Sequence, residues 1–226
     1  MGKNTFIFDL YNTLIDVRTD EHCEAAWSPV VEYFKTLGID SEWTRLCDLF
    51  GEYWRLFNEN AKHGKYDYPE CDCVDQLQYI AKNVGGDITR EQAAKALCIM
   101  RTGSRIRLRL FDGTLEMLNT LRSRGAKLYL LSNAQAVFTV KEIAEVGLSG
   151  AFDGVLLSSD CDVRKPDRAF YGMLFDKFGL DKPSAVMVGD DLVSDGEGAK
   201  NFGIDYVYAG GGAASHADEL YQLLGE

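Results

Sequence analysis

Three histidines, no C-x-x-C pair among six cysteines and no excess of basic residues mark what this 226-residue sequence has little of. It also lacks any apolar run near the roughly 18 residues that span a bilayer, so no membrane association is expected. The start, Met1-Gly2-Lys3-Asn4, has no hydrophobic segment of the signal-peptide kind. With so few histidines, Cys71-Asp72-Cys73, the only close thiol pair, is a poor basis for zinc. The cysteines at 23, 47, 71, 73, 98 and 161 are instead expected as reduced thiols of a cytoplasmic protein. A formal net charge of −11 argues against nucleic acid as a partner, because phosphate contacts need clustered Lys and Arg. Internal repeats and low-complexity segments are absent too. What is there is an ordinary globular balance, 46% hydrophobic and 26% charged, long enough for a large domain or for a core with a smaller unit inserted.

Two textures divide the chain. Residues 5–11 form a short apolar run that predicts a strand. Residues 20–105 carry no convincing strand, and their apolar residues recur every three or four positions, which is helical. Helices are expected over 21–37, 42–62, 73–83 and 89–105. Gly38 stops the first, Gly85-Gly86 follows the third, and Thr89 is a plausible N-cap for the fourth. Trp27, Trp43, Tyr53 and Trp54 are expected inside this helical unit. From about residue 110 strands and helices alternate. Strands are expected at 126–133, 154–160, 185–191 and 206–210. Helices are expected at 114–124, 135–146, 167–178, 195–202 and 216–224. Apolar strands joined by helices imply an α/β, doubly wound parallel sheet covered on both faces. The first strand belongs to that sheet. The expected division is a core of 1–16 and 108–226 with an inserted α-helical bundle, 17–107, as a cap.

Each strand of the sheet ends in polar residues. Ligands of parallel sheets bind beyond the carboxyl ends of the strands. The endings are Asp9, Ser132-Asn133, Ser158-Ser159-Asp160 followed by Arg164-Lys165-Pro166, and Gly189-Asp190-Asp191 with Asp195 just after. Asp9, Asp190 and Asp195 meeting in one crevice cannot all stay ionised without compensation. A hard divalent cation with oxygen ligands resolves this, and Mg²⁺ with few carboxylates and several waters is the usual choice. Lys165 adds one positive charge, and Ser132 can donate to an anion. Metal, lysine and hydroxyl around a free carboxylate describe a phosphate site with an aspartate nucleophile.

With these motifs in order, the chain resembles the haloacid dehalogenase superfamily of hydrolases. "FDLYNTLID" is similar to the first motif, "LLSN" to the second, Lys165 in "RKPD" to the third and "VGDDLVSDGEGAKNFG" to the fourth. The resemblance implies a Rossmann-like core, with the helical insertion as the family's cap. It implies that Asp9 is nucleophile and metal ligand, and that Tyr11 lends a backbone carbonyl to the metal. It implies that Thr13 supports the loop, and that Ser132, Asn133 and Lys165 serve the transferred group. Asp190 is implied as a direct Mg²⁺ ligand and Asp195 as a residue orienting the metal shell and Lys165. Asp191 is a further helper.

The departure is Tyr11. Phosphatases of this family carry a second aspartate there, which protonates the leaving alkoxide and then activates water. Tyrosine, with a pKa of about 10, is a poor base near neutrality. A Tyr at this position is characteristic of the family's 2-haloacid dehalogenases, whose halide leaves without a proton. Those enzymes place Ser where this chain has Asp190 and Asn where it has Leu192, and a cap arginine draws off the halide. Arg45 is the foremost candidate for that arginine, with Arg55 and the arginines at 101–109 behind it. The first expectation is a Mg²⁺-dependent phosphatase acting on a small phosphorylated metabolite through aspartyl-phosphate. The alternatives are a C–halogen hydrolase and a low-turnover protein that binds a phosphorylated ligand.

Overall fold

The computed structural model describes residues 2–61 and 64–224. Residue 62 of the second expected helix, and residues 1, 225 and 226 of the expected core, lie outside the described residues. Among those described, the strands are β1 (Thr5–Phe8), β2 (Ile15–Thr19), β3 (Arg105–Leu110), β4 (Lys127–Ser132), β5 (Gly154–Leu157), β6 (Ala185–Gly189) and β7 (Asp205–Tyr208). The helices are α1 (Glu24–Thr36), α2 (Trp43–Ala61), α3 (Cys73–Asn83), α4 (Arg90–Ser104), α5 (Thr114–Ser123), α6 (Ala136–Glu145), α7 (Arg168–Phe178), α8 (Gly198–Phe202) and α9 (Ala217–Leu223).

Five strands form one parallel sheet in the order β5-β4-β1-β6-β7. Its strands read as unbroken apolar runs because both faces are covered. Side chains alternate across the sheet. Phe6, Phe8, Leu128, Leu130, Val186 and Val188 pack on one face with Met117, Leu118 and Leu121 of α5 and Leu220 of α9. Ile7, Leu131 and Met187 pack on the other with Phe170, Tyr171 and Leu174 of α7 and Phe202 of α8. This is the doubly wound arrangement, and burial on both faces is its main stabilisation.

Helices α1 to α4 bury a third cluster of their own, including Trp27, Val30, Phe34, Leu46, Leu77, Ile80 and Leu97. Thr89 caps α4, its side chain accepting from the Gln92 backbone while the Gln92 side chain reaches back to the Thr89 N–H. That reciprocal pair satisfies two otherwise orphaned donors. Trp54 departs from expectation. It is 54% exposed rather than in the bundle core. No helix among the described residues is long and apolar enough to cross a membrane.

One element differs from expectation. β2 and β3 pair antiparallel where the chain leaves for the helical bundle and returns from it, with Ile15 opposite Leu110 and Val17 opposite Leu108. The expected limits at 16/17 and 107/108 fall inside this ribbon. "RIRLRL" alternates with period two, the strand signature, but its arginines resembled the end of a charged helix. Other differences are local. β1 ends at Phe8 and β5 at Leu157, after which Ser158–Asp160 forms a 3₁₀ turn. The expected helix at 195–202 is a π-helical turn, Leu192–Glu197, that runs into α8.

Candidate active site

The strand order reverses at β1, whose neighbours β4 and β6 lead away in opposite directions. Such a switch point opens a crevice at the carboxyl end of the central strand. Asp9 stands there, one residue past β1, its N–H held by the Val188 carbonyl at 2.9 Å. The chain then turns back sharply. The N–H groups of Leu14 and Ile15 both reach the Leu10 carbonyl, at 2.8 and 2.9 Å. Asn12 takes the left-handed conformation (φ 59°) that this turn requires and that asparagine tolerates. Thr13 is fully buried, and its carbonyl accepts from Ala213 N–H at 2.7 Å, so the Gly210-Gly211-Gly212 run brings the last part of the chain onto this loop.

Lys165 is the hub. Its ammonium donates to Asp9 Oδ1 at 2.7 Å and to Asp195 Oδ1 at 2.6 Å. Ser132, at the end of β4, donates to the same Asp9 oxygen at 2.9 Å. Asn133 fixes the Lys165 backbone from both sides, accepting from its N–H at 2.7 Å and donating to its carbonyl at 3.0 Å. Asp195 reaches the hub because residue 189 is glycine. A Cβ there would lie 2.1 Å from Asp195 Oδ2. That Oδ2 already accepts from Asp191 N–H at 3.1 Å. Asp190 accepts from the Thr13 hydroxyl at 2.9 Å. Asp191 turns elsewhere, accepting from Val193 and Ser194 N–H at 2.8 Å each as the cap of the π turn. The structure thus brings Asp9, Thr13, Ser132, Asn133, Lys165, Asp190 and Asp195 to one edge and leaves Asp191 as a cap.

Three carboxylates face one ammonium. Burial works against the charge of Lys165, but Asp195 and Asp9 outweigh it and hold the ammonium above the ordinary lysine value. Burial raises Asp190, and the Asp9 charge adds to the rise against the Thr13 hydrogen bond. Burial also raises Asp195, to about 6, against the pull of Lys165. The surplus is negative. One oxygen from each of Asp9, Asp190 and Asp195 lies within 4.8 Å of the others, all hard donors. Both donors to Asp9 converge on its Oδ1, and the Thr13 donor takes only Oδ1 of Asp190, so each keeps a second oxygen turned to other work. This donor set fits a small hard cation such as Mg²⁺.

Tyr11 points away from this cluster. Its hydroxyl donates to Glu142 Oε2 at 2.5 Å and lies 3.0 Å from the Thr139 hydroxyl. Burial, and then the Glu142 charge, push its pKa well above the ordinary tyrosine value, so it is neither acid nor base near neutrality. Arg101, from α4, grips Glu142 with two bonds, at 2.7 and 3.1 Å, and lies over the Tyr11 ring with 5.4 Å to its centroid. Glu21 stands 3.7 Å from the same guanidinium. Arg45, the arginine favoured from the sequence, is exposed on α2, and Arg101 is the one that reaches the sheet edge. A signal existed for its partner. Thr139 and Glu142 are the buried positions of α6, three residues apart, polar where a helix normally buries apolar side chains.

Beside Tyr11 lies an open cavity of about 310 Å³, bordered by Tyr11, Glu70, Arg101, Asn133, Gln135 and Phe138. Its floor is the edge that carries Ser132-Asn133, and its far wall comes from the helical unit. Gln135, which sequence reasoning passed over, ties the two together. Its side chain donates to Glu70 Oε1 at 3.1 Å and to the Cys71 carbonyl at 2.9 Å, and accepts from Cys73 N–H at 3.0 Å. Burial pushes the Cys71 thiol up to about 12 and raises Cys73 well above its ordinary value, so neither is a thiolate nucleophile at neutrality.

Comparison with known proteins shows the family. The family of hydrolases described as haloacid dehalogenase-like hydrolase matches residues 3–203. The (S)-2-haloacid dehalogenase of Pseudomonas sp. (strain YL) is 27% identical over 201 residues, 87% of this chain and 78% of that one. The glyceraldehyde 3-phosphate phosphatase of Pyrococcus abyssi is also 27% identical, over 205 residues, 89% of this chain and 79% of that one. Among solved structures, the 2-haloacid dehalogenase of Pseudomonas syringae pv. Tomato DC3000 superposes with a TM-score of 0.64 at 21% identity, covering 92% of this chain and 86% of that one. That likeness is one of fold. The curated relatives divide between two chemistries.

Proposed function

Because this chain belongs to the haloacid dehalogenase-like hydrolases, we propose that the sheet-edge site hydrolyses a phosphate monoester of a small metabolite through an aspartyl-phosphate, with Mg²⁺. The observation that carries this reading is the charge surplus, three carboxylates within 4.8 Å around a single lysine. In a reaction on a neutral C–halogen centre that surplus has no use and repels the nucleophile's own charge. Toward a phosphate it has a use once a cation is bound. Asp9, the Tyr11 carbonyl and Asp190 would hold the ion, which supplies neutralisation of the phosphoryl charge.

The chain's own residues do the rest. Asp9 attacks phosphorus. Ser132 and Lys165 orient the Asp9 carboxylate and are placed to receive phosphoryl oxygens as they gain charge. Asp195 keeps Lys165 charged and aimed, and Asn133 fixes its backbone. The helical unit of 17–107 acts as the cap that supplies the far wall of the cavity and hence the selection of substrate.

Dehalogenation is the second reading, favoured by Tyr11 and by the (S)-2-haloacid dehalogenase relative. It has less support at the halide end. The arginine nearest Tyr11 already spends its charge on Glu142 and Glu21. Phosphate release from a broad panel of phosphate esters, assayed with Mg²⁺ and with EDTA, tests the choice. No release from any ester would sink the phosphatase reading.

A further inference from the structure

We propose that Glu70 is the general acid–base of this site, protonating the leaving oxygen in place of the aspartate that Tyr11 replaces. The inference rests on the phosphatase reading. A monoester whose leaving group is an alkoxide needs a proton donor, and the Tyr11 hydroxyl is committed to Glu142 and Thr139.

Glu70 belongs to the connection between α2 and α3, yet it is fastened to the catalytic edge. Its N–H donates to the Asp162 carbonyl at 3.0 Å, and the Arg164 N–H donates to the Tyr68 carbonyl at 3.0 Å. Pro69 and Val163 pair as an antiparallel bridge between these bonds. The segment that carries Glu70 is therefore stitched to the segment that ends in Lys165. From the other side Gln135 holds its carboxyl Oε1 at 3.1 Å. The backbone bonds thus place the Glu70 main chain and the Gln135 bond holds its carboxyl, as a reacting group requires.

Glu70 borders two cavities that also have Asn133 in their walls. One, of about 310 Å³, has Tyr11 in its wall. The other, of about 200 Å³, has Arg164 and the exposed Trp54. Asn133 follows Ser132 directly, and Ser132 bonds Asp9. On the phosphatase reading, a substrate whose phosphoryl group sits at Asp9 would extend its remaining atoms into the larger cavity, which Tyr11, two residues on, and Asn133 both border. Burial raises Glu70 above the ordinary carboxyl value, although the Gln135 hydrogen bond and the charge of Arg164 pull the other way. Cys71, Cys73, Tyr11 and Arg101 also face these cavities, but two of them are thiols held protonated, one is a tyrosine bonded to Glu142 and one is a paired arginine.

The step balances without any further reactant. An Asp9 oxygen forms a bond to phosphorus and the bond from phosphorus to the ester oxygen breaks. The Glu70 proton goes to that oxygen, which leaves as the alcohol. The Glu70 carboxylate then takes a proton from water as the water oxygen attacks the aspartyl-phosphate. Inorganic phosphate leaves, and Asp9 and protonated Glu70 are restored.

The test compares the wild type with Glu70→Gln, both with Mg²⁺, on aryl phosphates of graded phenol acidity and on a simple alkyl phosphate. The variant should fall by on the order of 10²–10⁴ on the alkyl ester. On dinitrophenyl phosphate, whose phenolate leaves without a proton, it should keep its kcat/KM and a first-turnover burst of phenolate, which also shows that it folds, while later turnover slows at the aspartyl-phosphate, where the base is missing. Its dependence on leaving-group acidity should be steeper than that of the wild type. Equal losses of kcat/KM on every ester, or no loss on the alkyl ester, would overturn the proposal while phosphate release by the wild type left the phosphatase reading standing. No release by the wild type from any ester would overturn both.

Discussion

Two buried charge clusters sit on either side of Tyr11, and they are built differently. At the sheet edge Lys165 meets Asp9 and Asp195, with Asp190 alongside, so negative charge exceeds positive. On the α6 side Arg101 meets Glu142 in a two-point pair, with Glu21 at the margin, and the tyrosine hydroxyl completes the set. The second cluster carries the smaller surplus, and its Arg101–Glu142 pair is saturated. It joins the α4 end of the helical unit to the sheet domain. The first is unsaturated, an excess that raised carboxyl pKa values or a bound cation can relieve. The difference separates a site from a fastening, although both are buried ion pairs.

The comparison can be broken most severely at Asp9. Asp9→Asn should reduce phosphate release by on the order of 10⁴–10⁶ while circular dichroism and melting stay near those of the wild type, because the nucleophile is lost but the surplus charge is relieved. On the saturated side the damage should be to stability. Glu142→Gln leaves the Arg101 guanidinium, only 12% exposed, without its main counter-ion. The expected cost is about 3–5 kcal/mol in denaturant unfolding. The next effect in size is that of the cation. Mg²⁺ at about 100 times its Kd should stabilise the wild type by about 2.7 kcal/mol. Asp190→Asn should abolish that shift without lowering stability in EDTA. Comparable in size is the effect of Tyr11→Phe, which removes a hydroxyl bonded to Glu142 and Thr139. It should cost about 1.5–3 kcal/mol of stability, the range for hydrogen bonds to charged groups. Phosphate release should be unchanged, since that hydroxyl faces away from Asp9.

The unsaturated cluster was legible in the sequence and the saturated one was not. Asp9, Ser132, Lys165 and Asp190 each end a strand or follow one closely. Parallel packing of apolar runs brings strand ends together whatever the details. Pairing of Tyr11 with Glu142 spans 131 residues and depends on how α6 lies against the loop after β1. No local period encodes it. The five-stranded sheet was legible for the same reason as the motifs, its strands being unbroken apolar runs. β2 and β3 escaped because they are short, carry arginines and lie where the chain passes between its two textures. Asp191 is expected as a further helper beside Asp190, and its oxygen answers the free N–H groups of the π turn. Arg45 lost its place to Arg101 because helical spacing alone does not tell which face of α2 or α4 turns to the sheet.

The most direct measurement is product release by the purified protein from a phosphate-ester panel and a 2-haloacid panel in parallel, each with Mg²⁺ and with EDTA. The account predicts phosphate release that requires Mg²⁺ and stops in EDTA, with no halide release in either condition. Halide release that persists in EDTA, with no phosphate from any ester, would contradict it.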